Sequence, residues 1–272
     1  MTDENGERPP GETTSASQPP QDGRPLGSPE VAREPIFNIP PMVLALLTVL
    51  IAVMGYRLIL SEDADTAFVL ALALIPARLT GYAAELPGGV TAIYTQFVTH
   101  MFVHADAMHL AFNSAALLAF GGALEKRIGG LSLLLFFLVC GLAGAVTFIA
   151  FNSGLLAPMI GASGAIAGLM GGVMRYFFSA MDERGGLRRL NVAPKSVPLK
   201  GLRAALSDRR LQIVSASFIV MNIAALIGFG DINANNAIAW EAHVGGYLAG
   251  LMLFGFFDIA PRHNEVPEYR GD

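Results

Sequence analysis

The chain has 272 residues, of which 53% are apolar and only 15% charged, with a formal net charge of −4. A soluble domain with so few charges would struggle to cover its surface, and the apolar residues come in runs of about 20, the thickness of a hydrocarbon core. This composition excludes an ordinary soluble enzyme and predicts an all-α, polytopic membrane protein.

Residues 1–38 are rich in Pro, Gly, Ser, Thr and charge, too poor in apolar side chains to fold, and are expected to form a disordered cytoplasmic tail. No basic n-region followed by a short apolar stretch opens the chain, so a cleaved signal peptide is not expected. The first spanning segment is predicted over about Pro41–Leu60, opening with a proline at a tolerated helix start. The apolar run Ala67–Ala77 is too short to span and reads as a re-entrant or membrane-lying loop. Further spans follow at about Ala107–Ala123, Leu131–Phe151, Gly161–Phe178, Leu211–Phe229 and Ala237–Phe257, for a total of six. The domain plan is therefore a 1–38 tail, a six-helix body over 39–258 and a 259–272 tail. The lone cysteine, Cys140, lies inside an apolar run, so no intrachain disulfide can form.

Basic residues set the expected orientation. Arg184, Arg188, Arg189, Lys195, Lys200, Arg203, Arg209 and Arg210 crowd the connection after the fourth span, and Lys126 and Arg127 lie in the turn between the second and third. The opposite connections hold only Arg78, with Arg57 near the end of the first span. The positive-inside rule then puts both termini and the 180–210 loop in the cytoplasm.

Polar residues inside a bilayer are expensive and default to functional candidates. His104, His109 and Asn113 lie before and within the start of the second span, Ser163 near the start of the fourth, and His243 near the start of the sixth. Even-numbered spans all begin on the outer face, so these groups fall at one depth. A serine hydroxyl becomes a nucleophile when a base accepts its proton, and histidine suits that task. Ser163 and His243 are the expected catalytic pair. Glu241 should point to another side of its helix, so a dyad is expected without an acid. His109 and Asn113, four apart on one helix face, join the Ser163 amide as oxyanion donors. His104, Gly161 and Gly164 read as support for the site. Gly246 and Gly250 form a small-xxx-small pattern that would let the sixth helix approach the fourth. Asn222 in the fifth span reads as an interhelical hydrogen bond; the alternative reading of His100 and His104 is as residues at the membrane surface, with a structural role for His104. Taken singly, such a serine is a packing residue and such a histidine an interfacial anchor; the joint pattern favours chemistry. A transporter path would need ionisable groups at mid-membrane depth on several helices, whereas this cluster is shallow and free of acids.

These motifs resemble those of the rhomboid proteases: His104-Ala-Asp-Ala-Met-His109-Leu-Ala-Phe-Asn113, Gly161-Ala162-Ser163-Gly164 and Ala242-His243-Val244-Gly245-Gly246-Tyr247-Leu248-Ala249-Gly250. Gly121-Gly122-Ala123-Leu124-Glu125-Lys126-Arg127 is similar to the family's turn after the second helix, where Glu125 and Arg127 would be structural. The resemblance covers about residues 40–258. It implies an intramembrane serine endopeptidase that cleaves in or near the transmembrane segments of membrane-protein substrates, with the lipid bilayer as its solvent and no metal, cofactor or nucleic acid. It also implies a bacterial inner membrane, with the site open to the extracytoplasmic face and the fifth helix as the element that moves aside for substrate. The alternative is a rhomboid-like protein that binds membrane clients without cutting them; such relatives usually lack the serine or the histidine. Two positions depart from the family pattern. Tyr94-Thr95-Gln96-Phe97 stands where many members carry Trp-Arg, which predicts a different loop anchoring. Ala167 stands where many members stack an aromatic ring on the catalytic histidine, which predicts a less firmly oriented His243 and slow activity unless another residue fills the gap.

Overall fold

The computed structural model describes residues 39–226 and 239–259. The expected tail over 1–38, the end of the fifth span at Phe229, the start of the sixth at Ala237 and the tail beyond 259 lie outside the described residues. Among the described residues the fold is helical, interrupted by one antiparallel bridge between Leu74 and Met159.

Helix α1 (Pro41–Arg57) begins at a proline, and its first free amides are not left bare: the Glu125 carboxylate accepts from the Met42 and Val43 N–H groups at 2.9 Å each. An anion at a helix N-terminus satisfies those donors and the macrodipole together. Helix α2 (Glu62–Leu72) starts on Ser61, whose hydroxyl accepts from the Ala64 amide, with Glu62, Asp63 and Asp65 in the first turn. The apolar run expected over 67–77 is thus split. Its first half ends α2, and its second is extended and pairs through Leu74 with Met159. Pro76, which cannot continue a helix, opens a short 3₁₀ turn there.

This loop is held by Arg78, which is 1% exposed. Its guanidinium donates to the carbonyls of Leu70, Ala73 (2.6 Å) and Pro87 (2.8 Å) and to Gln96 Oε1 (3.3 Å). Gln96, on α3 (Ala92–Thr99), also accepts from the Ile75 amide at 3.0 Å. The anchoring expected to differ at Tyr94–Phe97 is therefore an Arg78–Gln96 pair.

Helix α4 (Ala107–Ile128) starts on Asp106, whose carboxylate accepts from the His109 amide at 2.8 Å, and runs through a π turn at Leu117–Gly121. The turn expected around Gly121–Arg127 is helical instead. Only Gly129, at φ 83°, breaks the chain before α5 (Gly130–Phe151). Helix α6 (Ser163–Met181) follows, starting two residues later than expected. Two short helical pieces (Gly186–Val192, Leu202–Leu206) lead to α7 (Arg209–Leu226), and α8 (Trp240–Phe257) ends the described chain.

Helices α5, α6 and α8 pack mutually and form the centre; α7 meets mainly α8, α6 and the short helix before it. The core holds Leu133, Phe136, Phe137, Cys140, Leu169 and Phe254, while Ile51, Leu131, Val146 and Phe256 stay exposed, as lipid-facing side chains would. By length and apolarity alone, α4 and α5 can each cross a membrane, and α1 is a shorter apolar helix. Helices α6 and α8 carry glycine where a lipid-facing helix would carry leucine. The reason is proximity: a Cβ on Gly250 would overlap the Gly168 carbonyl, and one on Gly246 the Gly164 carbonyl.

The bundle end opposite Ser163 is locked by charge. Arg127, 1% exposed, makes a bidentate pair with Asp258 (2.9 and 2.7 Å), donates to the Pro194 carbonyl (2.6 Å) and lies 4.1 Å over the Tyr176 ring. Replacing Arg127 by leucine strands a buried carboxylate and is expected to cost about 3–5 kcal/mol, read as a shift in the unfolding transition in micelles. Nearby, Asp208 accepts from Arg210 and Lys200, and Asp182 bridges the same two cations. Hydrogen bonds from Arg210 first, then Lys200, hold the Asp208 carboxyl well below the usual carboxylate range. A carboxylate with a depressed native pKa stabilises the fold above its unfolded value, about 4, and loses that contribution as pH falls toward the native one. Amide hydrogen exchange over residues 200–210, corrected for intrinsic rates, should therefore accelerate below about pH 4 and stay flat between pH 5 and 7.

Candidate active site

Ser163 is the first residue of α6, preceded by Gly161 at φ +116°, a conformation that L side chains rarely adopt. That backbone is tied down by the Gly161 amide donating to the His100 carbonyl at 2.9 Å. Gly161 has a second constraint. A Cβ there would sit 2.8 Å from both Cε1 and Nε2 of His109, so the imidazole rests against the bare Cα.

Across the α6–α8 seam, His243 Nε2 lies 2.7 Å from Ser163 Oγ. The approach depends on Gly164, whose position leaves 3.3 Å between an added Cβ and the Ala242 carbonyl, and on Gly144 of α5, where a Cβ would lie 2.7 Å from the same oxygen. The second ring nitrogen of His243, Nδ1, lies 2.8 Å from Oδ1 of Asn222 on α7. The hydrogen bond expected from Asn222 is thus present, and its partner is the histidine next to Ser163. Sequence reasoning saw a polar residue in a span but had no means of pairing α7 with α8 in register.

A cavity of about 900 Å³ opens over this pair, lined among others by His109, Asn113, Ala167, Phe218 and Glu241. His109 Nδ1 accepts, at a long 3.4 Å, from the Ala105 amide, which leaves the proton on Nε2, the atom beside Gly161. Asn113 is buried and uses one amide proton on the His109 carbonyl at 2.9 Å, leaving the other free for a ligand.

His104 is 2% exposed and packs edge-on against the His109 ring, centroids 5.0 Å apart, while its own carbonyl accepts from Arg57. It touches His109, not Ser163. His100, expected at the surface, is buried, with Nδ1 2.7 Å from the Gln96 carbonyl. Glu241 points away from His243, accepting from Asn152 Nδ2 at 3.0 Å on the cavity wall. Among the described residues no cluster of His, Cys, Asp or Glu is arranged to hold a metal ion.

An all-helical bundle with lipid-compatible surfaces, and a serine at a helix start hydrogen-bonded to a histidine of a neighbouring helix, define a narrow class of protein. The chain belongs to the rhomboid family: the rhomboid domain model matches residues 91–259. It is 29% identical over 158 residues to rhomboid protease GluP of Bacillus subtilis, an alignment covering 57% of this chain and 24% of GluP. It is 30% identical over 171 residues to rhomboid protease GlpG of Serratia proteamaculans, covering 62% of this chain and 50% of that protein. With rhomboid protease AarA of Providencia stuartii it shares 26% identity over 246 residues, 85% of this chain and 78% of AarA. The chain thus spans a quarter to about three quarters of these relatives' lengths.

Gly161→Ala must occupy a strained φ and displace the His109 ring. A stability loss of about 1–3 kcal/mol is expected in micelle unfolding, with Gly154→Ala, where φ is +77° but an added Cβ meets nothing within 4 Å, as the comparison for backbone strain alone.

Proposed function

We propose that this chain is an intramembrane serine endopeptidase acting on peptide bonds in or near the transmembrane segments of membrane-protein substrates. The reading rests on the 2.7 Å hydrogen bond between Ser163 Oγ and His243 Nε2 at the floor of a cavity, in a chain of rhomboid family membership. Ser163 attacks the carbonyl carbon and its proton passes to His243 Nε2, which returns it to the leaving amine. Water then enters by the same route, with His243 as base, and releases the acyl group. Charge develops on the carbonyl oxygen in both steps. The Ser163 amide, at a helix start with no intrahelical partner, His109 Nε2–H and the free Asn113 amide proton are the donors assigned to it.

In this reading α1, α4, α5, α6, α7 and α8 are the six membrane crossings, the α2–α3 region lies at the membrane, and the basic residues around Arg127 and Arg184–Arg210 face the cytoplasm of a bacterial inner membrane. The site then opens to the extracytoplasmic side. That the relatives named above are rhomboid proteases supports the activity; the serine and histidine argue against a purely client-binding role.

The test is cleavage of a single-span reporter, with small residues near its outer membrane boundary, in proteoliposomes. Ser163→Ala and His243→Ala are expected to abolish cleavage, and His109→Ala or Asn113→Ala to lower kcat on the order of a hundredfold. Cleavage that survives Ser163→Ala would overturn the assignment.

A further inference from the structure

We propose that Asn222 is the positioning residue that fixes the tautomer and aim of the general base His243. The inference rests on the protease reading above, and it fills a gap: Ala167, one turn below Ser163 on α6, offers no ring to hold the imidazole.

The amide of Asn222 has its orientation set from behind. Its Nδ2 donates to the Phe218 carbonyl, one turn back on α7, at 2.8 Å, which turns Oδ1 toward α8. A carbonyl oxygen only accepts, so the His243 Nδ1 lying 2.8 Å away must carry a proton. A neutral imidazole has one N–H. Nε2 is therefore bare, and the 2.7 Å contact with Ser163 is a bond from the hydroxyl to the ring. That is the tautomer a general base requires. The opposite one would present Nε2–H to Ser163 and could not take its proton.

The alignment is backed by the rest of the α7–α8 seam. Ser215, Phe218 and Asn222 recur at three- and four-residue spacing on one face of α7. Ser215 Oγ and Tyr247 Oη are 2.7 Å apart, and the Phe218 and Tyr247 rings stack with centroids 4.7 Å apart at 30°. Tyr247 is one turn beyond His243, so these contacts set the register that delivers Asn222 to Nδ1. Because Asn222 rides on α7, the base is aimed only while α7 is docked on α8.

The proton balance is closed. As Ser163 Oγ bonds to the substrate carbon, its O–H bond breaks and the proton moves to His243 Nε2. The imidazolium keeps Nδ1–H on Asn222 Oδ1, and Nε2–H passes to the departing amine. Asn222 gains and loses no proton.

The experiment uses the full chain, ¹⁵N-labelled at histidine, in micelles, with the His243 signals assigned by their loss in His243→Ala. The parent is expected to show the Nδ1–H form. Asn222→Leu should add the Nε2–H form and lower kcat about 10- to 100-fold with KM within about twofold. Asn222→Ser, polar but too short to reach Nδ1, serves the same arm if the leucine variant does not fold. Asn222→Asp, which keeps an acceptor in place, should retain Nδ1–H and recover most of kcat. Tyr247→Phe removes the Ser215 hydrogen bond but keeps the ring stacked on Phe218, so the register of α7 and the His243 tautomer should be unchanged. Parental tautomer and kcat in Asn222→Leu would overturn the proposal. A tautomer that responds in a chain that never cleaves the reporter would sink the protease reading and leave the positioning role standing. Cleavage with a tautomer indifferent to residue 222 would do the reverse.

Discussion

The Ser163 site depends on how closely the α6 and α8 backbones approach. Gly168 faces Gly250 and Gly164 faces Gly246 so tightly that any Cβ at positions 246 or 250 would overlap a carbonyl of the other helix. In a lipid-like surrounding, burying apolar surface between helices gains little, because the alternative neighbour is equally apolar; close van der Waals contact and interhelical hydrogen bonds decide the association. The glycines permit that contact, and one turn above Gly246 it places His243 Nε2 within 2.7 Å of Ser163. A seam wider by one methyl group would separate the Ser163 hydroxyl from the His243 ring.

The two ends of the bundle are built on opposite principles. At the end away from Ser163, charges are paired and buried: Glu125 closes the start of α1, and Arg127 ties α4 to Asp258 at the end of α8. At the Ser163 end, polar groups converge on a cavity with some of their hydrogen-bonding capacity unused. The α2–α3 region adds a second brace, in which Arg78 and Gln96 satisfy carbonyls and amides that a non-helical segment would otherwise leave bare.

Two histidines near the cavity carry opposite tautomers, and in each case the group touching Nδ1 makes the choice. A backbone N–H points at Nδ1 of His109, so its proton sits on Nε2 and the ring is a donor toward the cavity. A side-chain carbonyl points at Nδ1 of His243, so its proton sits there and Nε2 is an acceptor toward Ser163. The same residue type thus presents a donor toward the cavity in one place and an acceptor toward Ser163 in the other.

Much of this was readable along the chain. Runs of apolar residues marked the helices, and His109, Asn113, Ser163 and His243 stood out because polar groups are costly in such runs. Glycine at four-residue spacing announced a close helix pair. What the sequence could not carry was anything set by contacts between distant segments. It ended the second span at Ala123 and took Gly121–Arg127 as a turn by resemblance, whereas a π turn at Leu117–Gly121 carries α4 on through Glu125 and Arg127. It read His100 as a residue at the membrane surface, whereas the ring is buried with Nδ1 on the Gln96 carbonyl. It found Arg78 only as a loop charge and Asn222 only as a helix-to-helix bond. The sequence by itself determined which polar residues stand out as candidates for chemistry, since residue type and period are local properties. Tertiary structure alone decided that Asn222 meets His243, because that contact depends on the rotation and register of α7 against α8, which no spacing within either helix records.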